Sequence, residues 1–239
     1  MIKLPVKRNI LGIEMSDTTY DDVLEYVATL SPKQSPKTII VTPNPEMVVY
    51  AAKHSTFKEL INKADIAVCD GSGLLIASYI LNKPLSARVT GVDLMVRLCS
   101  LASDQTMSIG LLGGRNGVAE KTAQCLRESF PNLKISYIQE EWTSSQKLSV
   151  DILFVALGFP KQEEWIADHL PKIDVKVAMG VGGAFDYISG HVTRAPFITR
   201  YIGLEWLYRL IKEPWRWRRQ IALIEFIRLV IKARISPHK

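Results

Sequence analysis

The stretch DILFVALGFPKQEEWIADHL, residues 151–170, shows the pattern that decides the fold. Its first part, 151–157, is a short apolar run that ends at Gly158, which is typical of a buried strand. The segment 160–170 has the apolar spacing of a helix. A strand that passes through a short turn into a helix is the repeating unit of an α/β sheet.

The same unit recurs along the chain. Short apolar runs rich in β-branched residues predict four further strands, at 37–42, 65–69, 107–112 and 175–181. Helical spacing fills the intervening segments 45–63, 72–82, 91–103 and 116–130. The alternation predicts an α/β fold, a Rossmann-like and mostly parallel sheet with helices on both faces.

The net charge of +6 is unevenly distributed over the 239 residues. Residues 194–239 contain eleven Lys/Arg and three Asp/Glu, a net charge of +8, whereas the rest of the chain carries −2. The pattern also changes after Gly190, where segments become long, basic and rich in tryptophan. We therefore predict an α/β domain over 1–195 and a basic, amphipathic helical appendage over 196–239, with one helix from about Glu213 to Ile235.

Composition and motifs limit the cellular location and the cofactors. Three widely spaced cysteines without a C-x-x-C pair fit a reducing cytoplasm. The N-terminus lacks the features of a signal peptide, and no segment is apolar enough to span a membrane. The dinucleotide and P-loop fingerprints are missing, and the four histidines have no metal-ligand spacing. We expect neither a cofactor nor a metal.

Polar and glycine-rich loops follow each predicted strand, and the carboxyl ends of parallel strands share one rim where ligands bind. Glycines there let backbone amides approach phosphate oxygens, although each one alone is as easily a turn or packing device. The residues predicted to bind substrate through these loops are Gly113, Gly114, Gly158, Gly182 and Gly183.

Several side chains at the rim have two interpretations. Asp70, at a strand end, suits a general base, but spacing alone favours an N-cap of the helix beginning near Gly73. Thr42 and Asn44 lie between prolines in a rigid turn that could hold a sugar or only start a helix. Asp186 could cap, coordinate or bind a sugar hydroxyl. Arg88, Arg194 and the arginines of the appendage could each hold a diphosphate.

The basic, aromatic-rich appendage suits three partners: an anionic membrane, nucleic acid or a groove of another protein. Tryptophan beside arginine favours the membrane surface. A helical hairpin packed on the main domain, with a charged outer face, is the alternative.

Six blocks of sequence together resemble one family, the WecG/TagA/CpsF glycosyltransferases. They are TPNPE at 42–46, DGSG at 70–73, RVTGVD at 88–93, GFPKQEEW at 158–165, GVGGAFDYISGHVTRAP at 180–196 and GLEWLYRLIKEPWRWRRQ at 203–220. The resemblance runs in order from about residue 10 to 235. It implies an inverting, metal-independent transfer of N-acetylmannosamine, or a related sugar, from a UDP-sugar donor. The implied acceptor is N-acetylglucosamine on undecaprenyl diphosphate.

The resemblance also assigns roles to residues. It makes Asp70 the base that deprotonates the acceptor hydroxyl, in place of the cap. It implies pocket positions for Thr42, Asn44, Arg88 and Gln162. Arg209, Arg216 and Arg219 of the appendage would neutralise the diphosphate, and the enzyme would lie at the inner face of the cell membrane. Its products would enter teichoic acid, common antigen or capsule.

Two other classes of function stay open at the level of sequence. One is an enzyme that modifies nucleotide sugars without a membrane role, such as an epimerase, which the missing dinucleotide fingerprint disfavours. The other is a nucleic-acid-binding module that uses the basic appendage, which leaves the polar loops of the acidic domain unexplained. We expect no nucleic-acid partner, and an exposed apolar appendage would favour homo-oligomers.

Overall fold

The computed structural model describes residues 4–30, 37–143, 147–196, 199, 205–212 and 217–235. A hairpin of two strands, β1 (Lys7–Ile10) and β2 (Ile13–Ser16), precedes a six-stranded sheet. The strands of that sheet are β3 (Thr38–Val41), β4 (Ile66–Ala67), β5 (Ser108–Gly113), β6 (Lys134–Gln139), β7 (Ser149–Ala156) and β8 (Asp174–Gly180). Their spatial order is β4-β3-β8-β7-β5-β6, and every neighbouring pair is parallel. The predicted α/β fold is confirmed.

Helices connect the strands and follow the sheet. They are α1 (Tyr20–Ala28), α2 (Pro45–Lys53), α3 (Ser55–Asn62), α4 (Ser72–Ile80), α5 (Gly91–Asp104), α6 (Val118–Ser129), α7 (Lys161–His169), α8 (Ala184–Ile188), α9 (Glu205–Lys212) and α10 (Trp217–Ile235). None of the helices within the described ranges is long and apolar enough to cross a membrane.

Both faces of the sheet are covered, as the strand sequences require. On β7, Ile152 and Phe154 point into a core shared with α1, α5, α6 and α8. The alternate residues Leu153 and Val155 point into the opposite core, under α7. Because successive side chains of a strand point to opposite faces, a strand apolar at every position needs a helix layer on each side.

Several elements differ from the prediction; the hairpin of β1 and β2 and the helices α1 and α8 were not predicted. Strand β6 was not predicted, because its sequence KISYIQ lies at the sheet edge and has no fully buried residue, so it lacks the apolar run of the other strands. The segment 45–63 was predicted as one helix but is two. His54 has an extended backbone between α2 and α3, and its ring stacks on Tyr50 with centroids 3.8 Å apart.

The final helix α10 packs against α2 and α4. It buries Phe226 and Val230 in the core that α2, α3, α4 and the hairpin share. Residues 213–216 of the predicted helix lie outside the described residues. The side chains of Ile221, Ile224, Ile227, Ile231 and Ile235 on α10 are exposed. This helix thus has one apolar face in the core and another that faces outward. The predicted domain boundary at residue 195 stays a prediction.

Candidate active site

The carboxyl ends of β3 and β8 form the centre of the rim. Thr42 directly follows β3, is buried, and its hydroxyl donates to the backbone oxygen of Gly180 at the end of β8, 3.3 Å away. Its side chain also lies against Gly91 at the start of α5. Thr42 therefore joins three elements at the floor of the crevice.

Asp70 lies at the same rim, in the loop between β4 and α4. Its backbone N–H donates to the carbonyl of Pro43 at 3.0 Å, and its Oδ2 accepts a hydrogen bond from the N–H of Gly91 at 3.2 Å. The N-cap position of α4 is occupied by Gly71, with φ +111°, which has no side chain to make a capping hydrogen bond. The structure therefore places Gly71, and not Asp70, at the N-cap position of α4. The role of Asp70 as a base stays a prediction.

Arg88 belongs to the segment that runs beside Asp70. The next residue, Val89, donates its N–H to the carbonyl of Cys69 at 2.9 Å. The pKa of the Cys69 thiol is raised to about 12 by burial and by the negative charge of Asp70, while the positive charge of Arg88 opposes this rise. One thiol thus experiences both charges, so a carboxylate and a guanidinium lie within the same small region of the rim.

Asn44 occupies the N-cap of α2. Its Oδ1 accepts a hydrogen bond from the N–H of Met47 at 3.1 Å, and Pro45 fills the first position of the helix. The sequence left open whether this turn holds a sugar or starts a helix. The structure shows that it starts a helix. Because Asn44 Oδ1 already accepts the capping hydrogen bond, Nδ2 is the atom of this side chain that can donate to a ligand.

Gly113 ends β5 and Gly114 follows it, and packing requires both to be glycine. A Cβ at Gly113, where φ is +105°, would lie 2.5 Å from the carbonyl carbon of Ala156. A Cβ at Gly114 would lie 2.8 Å from the ring of Phe185. At the adjacent start of α6, the N–H of Gly117 donates to the carboxylate of Glu140 at 2.6 Å. A protein carboxylate therefore already takes one of the amides that a phosphate would use.

The turn after β7 places a buried amide and a buried acid behind the crevice. Gly158 has φ +80°, the Phe159–Pro160 peptide is cis, and α7 begins at Lys161. Gln162 is 2% exposed; its Oε1 accepts from the N–H of Gly182 at 3.0 Å, and its Nε2 donates to Oε1 of Glu163 at 2.7 Å. The structure thus gives Gln162 a supporting position under the loop after β8.

Glu163 is a residue that the sequence interpretation missed. It is 1% exposed, and burial raises the pKa of its carboxyl from 4.5 to about 7, although the hydrogen bond from Gln162 opposes the rise. Its Oε2 has no hydrogen-bond partner among the described residues. A Cβ at Gly180 would lie 2.9 Å from the Gln162 amide, so the glycine makes room for this pair. In the sequence, Glu163 cannot be told from the exposed Glu164 beside it.

The loop after β8 carries the remaining predicted substrate residues. Gly182 has φ +52° with open space where a Cβ would lie, and Gly183 is the N-cap of α8 without a side-chain hydrogen bond. Asp186 lies in the first turn of α8 and is half-buried, and its carbonyl accepts from Val192 at 3.0 Å. The loop therefore presents the backbone of Gly182 and Gly183, without side chains, at this edge of the sheet.

Arg194 is held by an ion pair rather than directed at a diphosphate. Its two terminal nitrogens lie 2.6 and 2.8 Å from the two carboxylate oxygens of Asp93, in the first turn of α5. Thr90, the N-cap of α5, donates its hydroxyl to the same carboxylate. This fork attaches the segment that leads to the appendage next to Gly91, the residue that holds Asp70.

The structure does not test the arginines of the appendage. Arg209 lies in α9 and Arg219 in α10, but their side chains, and Arg216 as a whole, lie outside the described residues. Within the described ranges, no group of three or more His, Cys, Asp or Glu side chains is placed to hold a metal ion.

Taken together, the rim offers a carboxylate that accepts from the Gly91 amide, a guanidinium in the neighbouring segment, and a glycine loop that Gln162 supports. A fixed carboxylate beside an open crevice can take a proton from a hydroxyl, and a bare loop leaves space for a sugar or a phosphate. The arrangement is compatible with the transfer of a group to a hydroxyl at the carboxyl ends of the strands, where α/β sheets bind their ligands.

Comparison with known proteins identifies that class more closely. Residues 8–239 match the glycosyl transferase WecG/TagA/CpsF family. An N-acetylglucosaminyldiphosphoundecaprenol N-acetyl-beta-D-mannosaminyltransferase from Staphylococcus aureus (strain MRSA252) is 38% identical over 222 residues, 89% of this chain and 86% of the relative. Proteins of the same name from strains MW2 and NCTC 8325 / PS 47 are 37% identical with the same coverage. The chain belongs to the WecG/TagA/CpsF family and is a glycosyltransferase.

Proposed function

We propose that this enzyme transfers N-acetylmannosamine, or a closely related sugar, from a UDP-sugar to N-acetylglucosamine on undecaprenyl diphosphate. The names of the Staphylococcus aureus relatives support the sugar and the acceptor. The observation that carries the proposal is the position of Asp70, whose carboxylate the Gly91 amide fixes at the rim of the crevice.

In the proposed reaction Asp70 is the general base. It takes the proton of the acceptor hydroxyl as that oxygen attacks the anomeric carbon of the donor. The bond from this carbon to the diphosphate breaks, and UDP leaves with the electron pair from the opposite face. The configuration at the anomeric carbon inverts. The new glycosidic bond joins the acceptor oxygen to the transferred sugar.

Charge neutralisation of the departing UDP is the second part of the proposal. The family resemblance implies a reaction without a metal, so cationic side chains take this role. Arg88 is the described candidate because its charge reaches the same region as that of Asp70. Arg209, Arg216 and Arg219 are the candidates from the appendage, and they would join the site when the appendage lies on an anionic membrane at the cytoplasmic face.

The proposed products are lipid-linked intermediates of a cell-surface polymer, of which teichoic acid is the one that the S. aureus relatives suggest. Self-association would fit the exposed side chains of Ile224 and Ile235 on α10.

The test is transfer from a panel of UDP-sugars to a short-chain lipid-diphosphate N-acetylglucosamine, with EDTA present and with the protein both intact and ended before Arg200. We expect the intact enzyme to use UDP-N-acetylmannosamine despite EDTA, and to give a product of inverted anomeric configuration by NMR. Because α10 buries Phe226 and Val230 in the core, loss of transfer on truncation supports the role of the appendage only where circular dichroism and thermal unfolding show that the truncated protein is folded. Absence of transfer from every UDP-sugar by the intact chain contradicts the proposal.

A further inference from the structure

An apolar groove lies between α4 and α10. Its walls include Gly73, Ile76 and Ile80 from α4, and Phe226, Ile227 and Ile231 from α10. Its volume is about 260 Å³. The side chains of Ile76, Ile80, Ile227 and Ile231 are 45–58% exposed, so their apolar surface faces solvent along the groove. A continuous exposed apolar strip of this kind marks a binding surface more often than single exposed residues do.

The groove begins next to the proposed catalytic base. Gly73 lies three residues after Asp70, in the first turn of α4. A Cβ at Gly73 would lie 3.3 Å from Pro45 and 4.0 Å from the ring of Phe226, so α2, α4 and α10 meet at this end. From Gly73 the groove follows α4 to Ile80, about 10 Å farther from the rim at 1.5 Å per residue. It therefore leads from the site outward.

The chemistry of the groove selects its ligand. Its lining is formed by aliphatic and aromatic side chains and one glycine, so it offers no side-chain donor or acceptor to a sugar or a nucleotide. An extended hydrocarbon chain gains free energy in proportion to the apolar area that it buries there.

We infer that this groove holds the first isoprene units of the lipid-linked acceptor. The inference rests on the proposed function, because the proposed acceptor has its hydroxyl, sugar, diphosphate and hydrocarbon in one line. With the hydroxyl at Asp70, the hydrocarbon must leave the crevice along some path, and the groove supplies an apolar one that starts at that loop. α4 and α10 then bind the lipid chain and guide its sugar toward the base.

The groove can be tested on both walls with a control on the same helix. Ile76→Asn changes the α4 wall and Ile227→Asn changes the α10 wall. Ile224→Asn is the matched control, because Ile224 is 69% exposed on α10 but does not line the groove. Thermal unfolding of the three full-length variants verifies that each one is folded.

Direct binding of farnesyl diphosphate, measured by calorimetry without membranes, tests the groove independently of transfer. We expect the wild type to bind it about tenfold or more tightly than inorganic diphosphate, because the hydrocarbon adds buried apolar area. Both groove variants should lose about tenfold of that affinity, and the Ile224→Asn variant should stay within about twofold of the wild type. Equal binding of the two probes by the wild type overturns the inference.

Transfer kinetics link the groove to the proposed function. Two acceptors are compared, N-acetylglucosamine linked to farnesyl diphosphate and N-acetylglucosamine linked to methyl diphosphate. The ratio of kcat/KM for the first to kcat/KM for the second should fall about tenfold in both groove variants and stay constant in the control. An unchanged ratio in an active enzyme overturns the groove and leaves the proposed function standing. Groove-dependent binding of farnesyl diphosphate by an enzyme that transfers no sugar supports the groove and contradicts the proposed function.

Two other occupants of this face would give different results. If the face only touches the bilayer, Ile224→Asn should weaken sedimentation with phosphatidylglycerol vesicles as much as Ile227→Asn does, with no effect of either on farnesyl diphosphate. If a second copy of the chain covers it, the substitutions should lower the mass measured by analytical ultracentrifugation, again without an effect on farnesyl diphosphate. Either result overturns the inference.

Discussion

The carboxylate of Asp70 accepts a hydrogen bond from the backbone N–H of Gly91, with 3.2 Å between Oδ2 and the nitrogen. Gly91 is the first residue of α5, so the amide is one of those that a helix leaves without an internal partner. A Cβ at Gly91 would lie 3.5 Å from the same oxygen and 3.3 Å from Thr42. Asp70 is thus fixed in orientation while it stays on the crevice side of its loop.

Replacement of this carboxylate tests its role as base. We expect Asp70→Asn to lower kcat by about 10²–10⁴, the usual contribution of general-base catalysis, because the amide cannot take a proton. The fold should persist, since the Asn oxygen can still accept from Gly91. Steady-state transfer assays and circular dichroism provide the measurements. Asp168→Asn, on the solvent-facing side of α7, is the control and should keep full activity. Near-normal turnover of the Asp70 variant would refute the assignment.

The buried acid Glu163 should make stability depend on pH. Burial raises the pKa of its carboxyl in the folded state to about 7, so between pH 4.5 and 7 the folded protein binds more protons than the unfolded chain. The free energy of unfolding of the wild type should therefore decrease as the pH rises through this range, by about 3 kcal/mol at most.

Glu163→Gln removes this titration and keeps an acceptor for the Gln162 amide. Its stability relative to the wild type should be similar near pH 4.5 and should grow by as much as about 3 kcal/mol by pH 8. Urea unfolding at several pH values provides the measurement, with Glu164→Gln at the exposed neighbour as the control. A difference between Glu163→Gln and wild type that does not change with pH would show that Glu163 titrates normally.

Gly113 should tolerate no side chain. Gly113→Ala forces a Cβ against the backbone of Ala156, at 2.5 Å, in a left-handed conformation. We expect a loss of about 2–5 kcal/mol in the free energy of unfolding, from overpacking plus backbone strain. Gly117→Ala is the matched control, because Gly117 has φ +79° but open space around it, and should lose only about 1–2 kcal/mol. Equal losses in urea unfolding would mean that contact with β7 is not the cause.

The Arg194–Asp93 pair should stabilise the attachment of the segment that leads to the appendage. Its side chains are 22% and 35% exposed and form two hydrogen bonds, so a double-mutant cycle with Arg194→Ala and Asp93→Ala should give a coupling energy of about 1–3 kcal/mol. The exposed pair Arg115–Glu141, at 77% and 69%, should give at most about 1 kcal/mol in the same cycle. Similar coupling energies for the two pairs would contradict the structural role of Arg194.

The sequence by itself determined the architecture and the rim on which the candidate site lies. Alternation of apolar runs with helical spacing depends on residues close together in the chain, so it predicted the α/β sheet and the rim where Thr42, Asp70 and Gly182 lie. Five of the six sheet strands were predicted within a few residues. Strand β6 was missed because an edge strand needs no continuous apolar run.

Only the tertiary structure decided what the rim residues contact, because those contacts join parts of the chain far apart in sequence. Arg194 meets Asp93 across 101 residues, and Gly113 meets Ala156 only because β5 lies beside β7. Glu163 and Glu164 are the same residue type side by side, and the direction that α7 takes from its first turn buries one and exposes the other. Residue types and spacing fix which groups reach the rim, whereas packing fixes which of them stay available for chemistry.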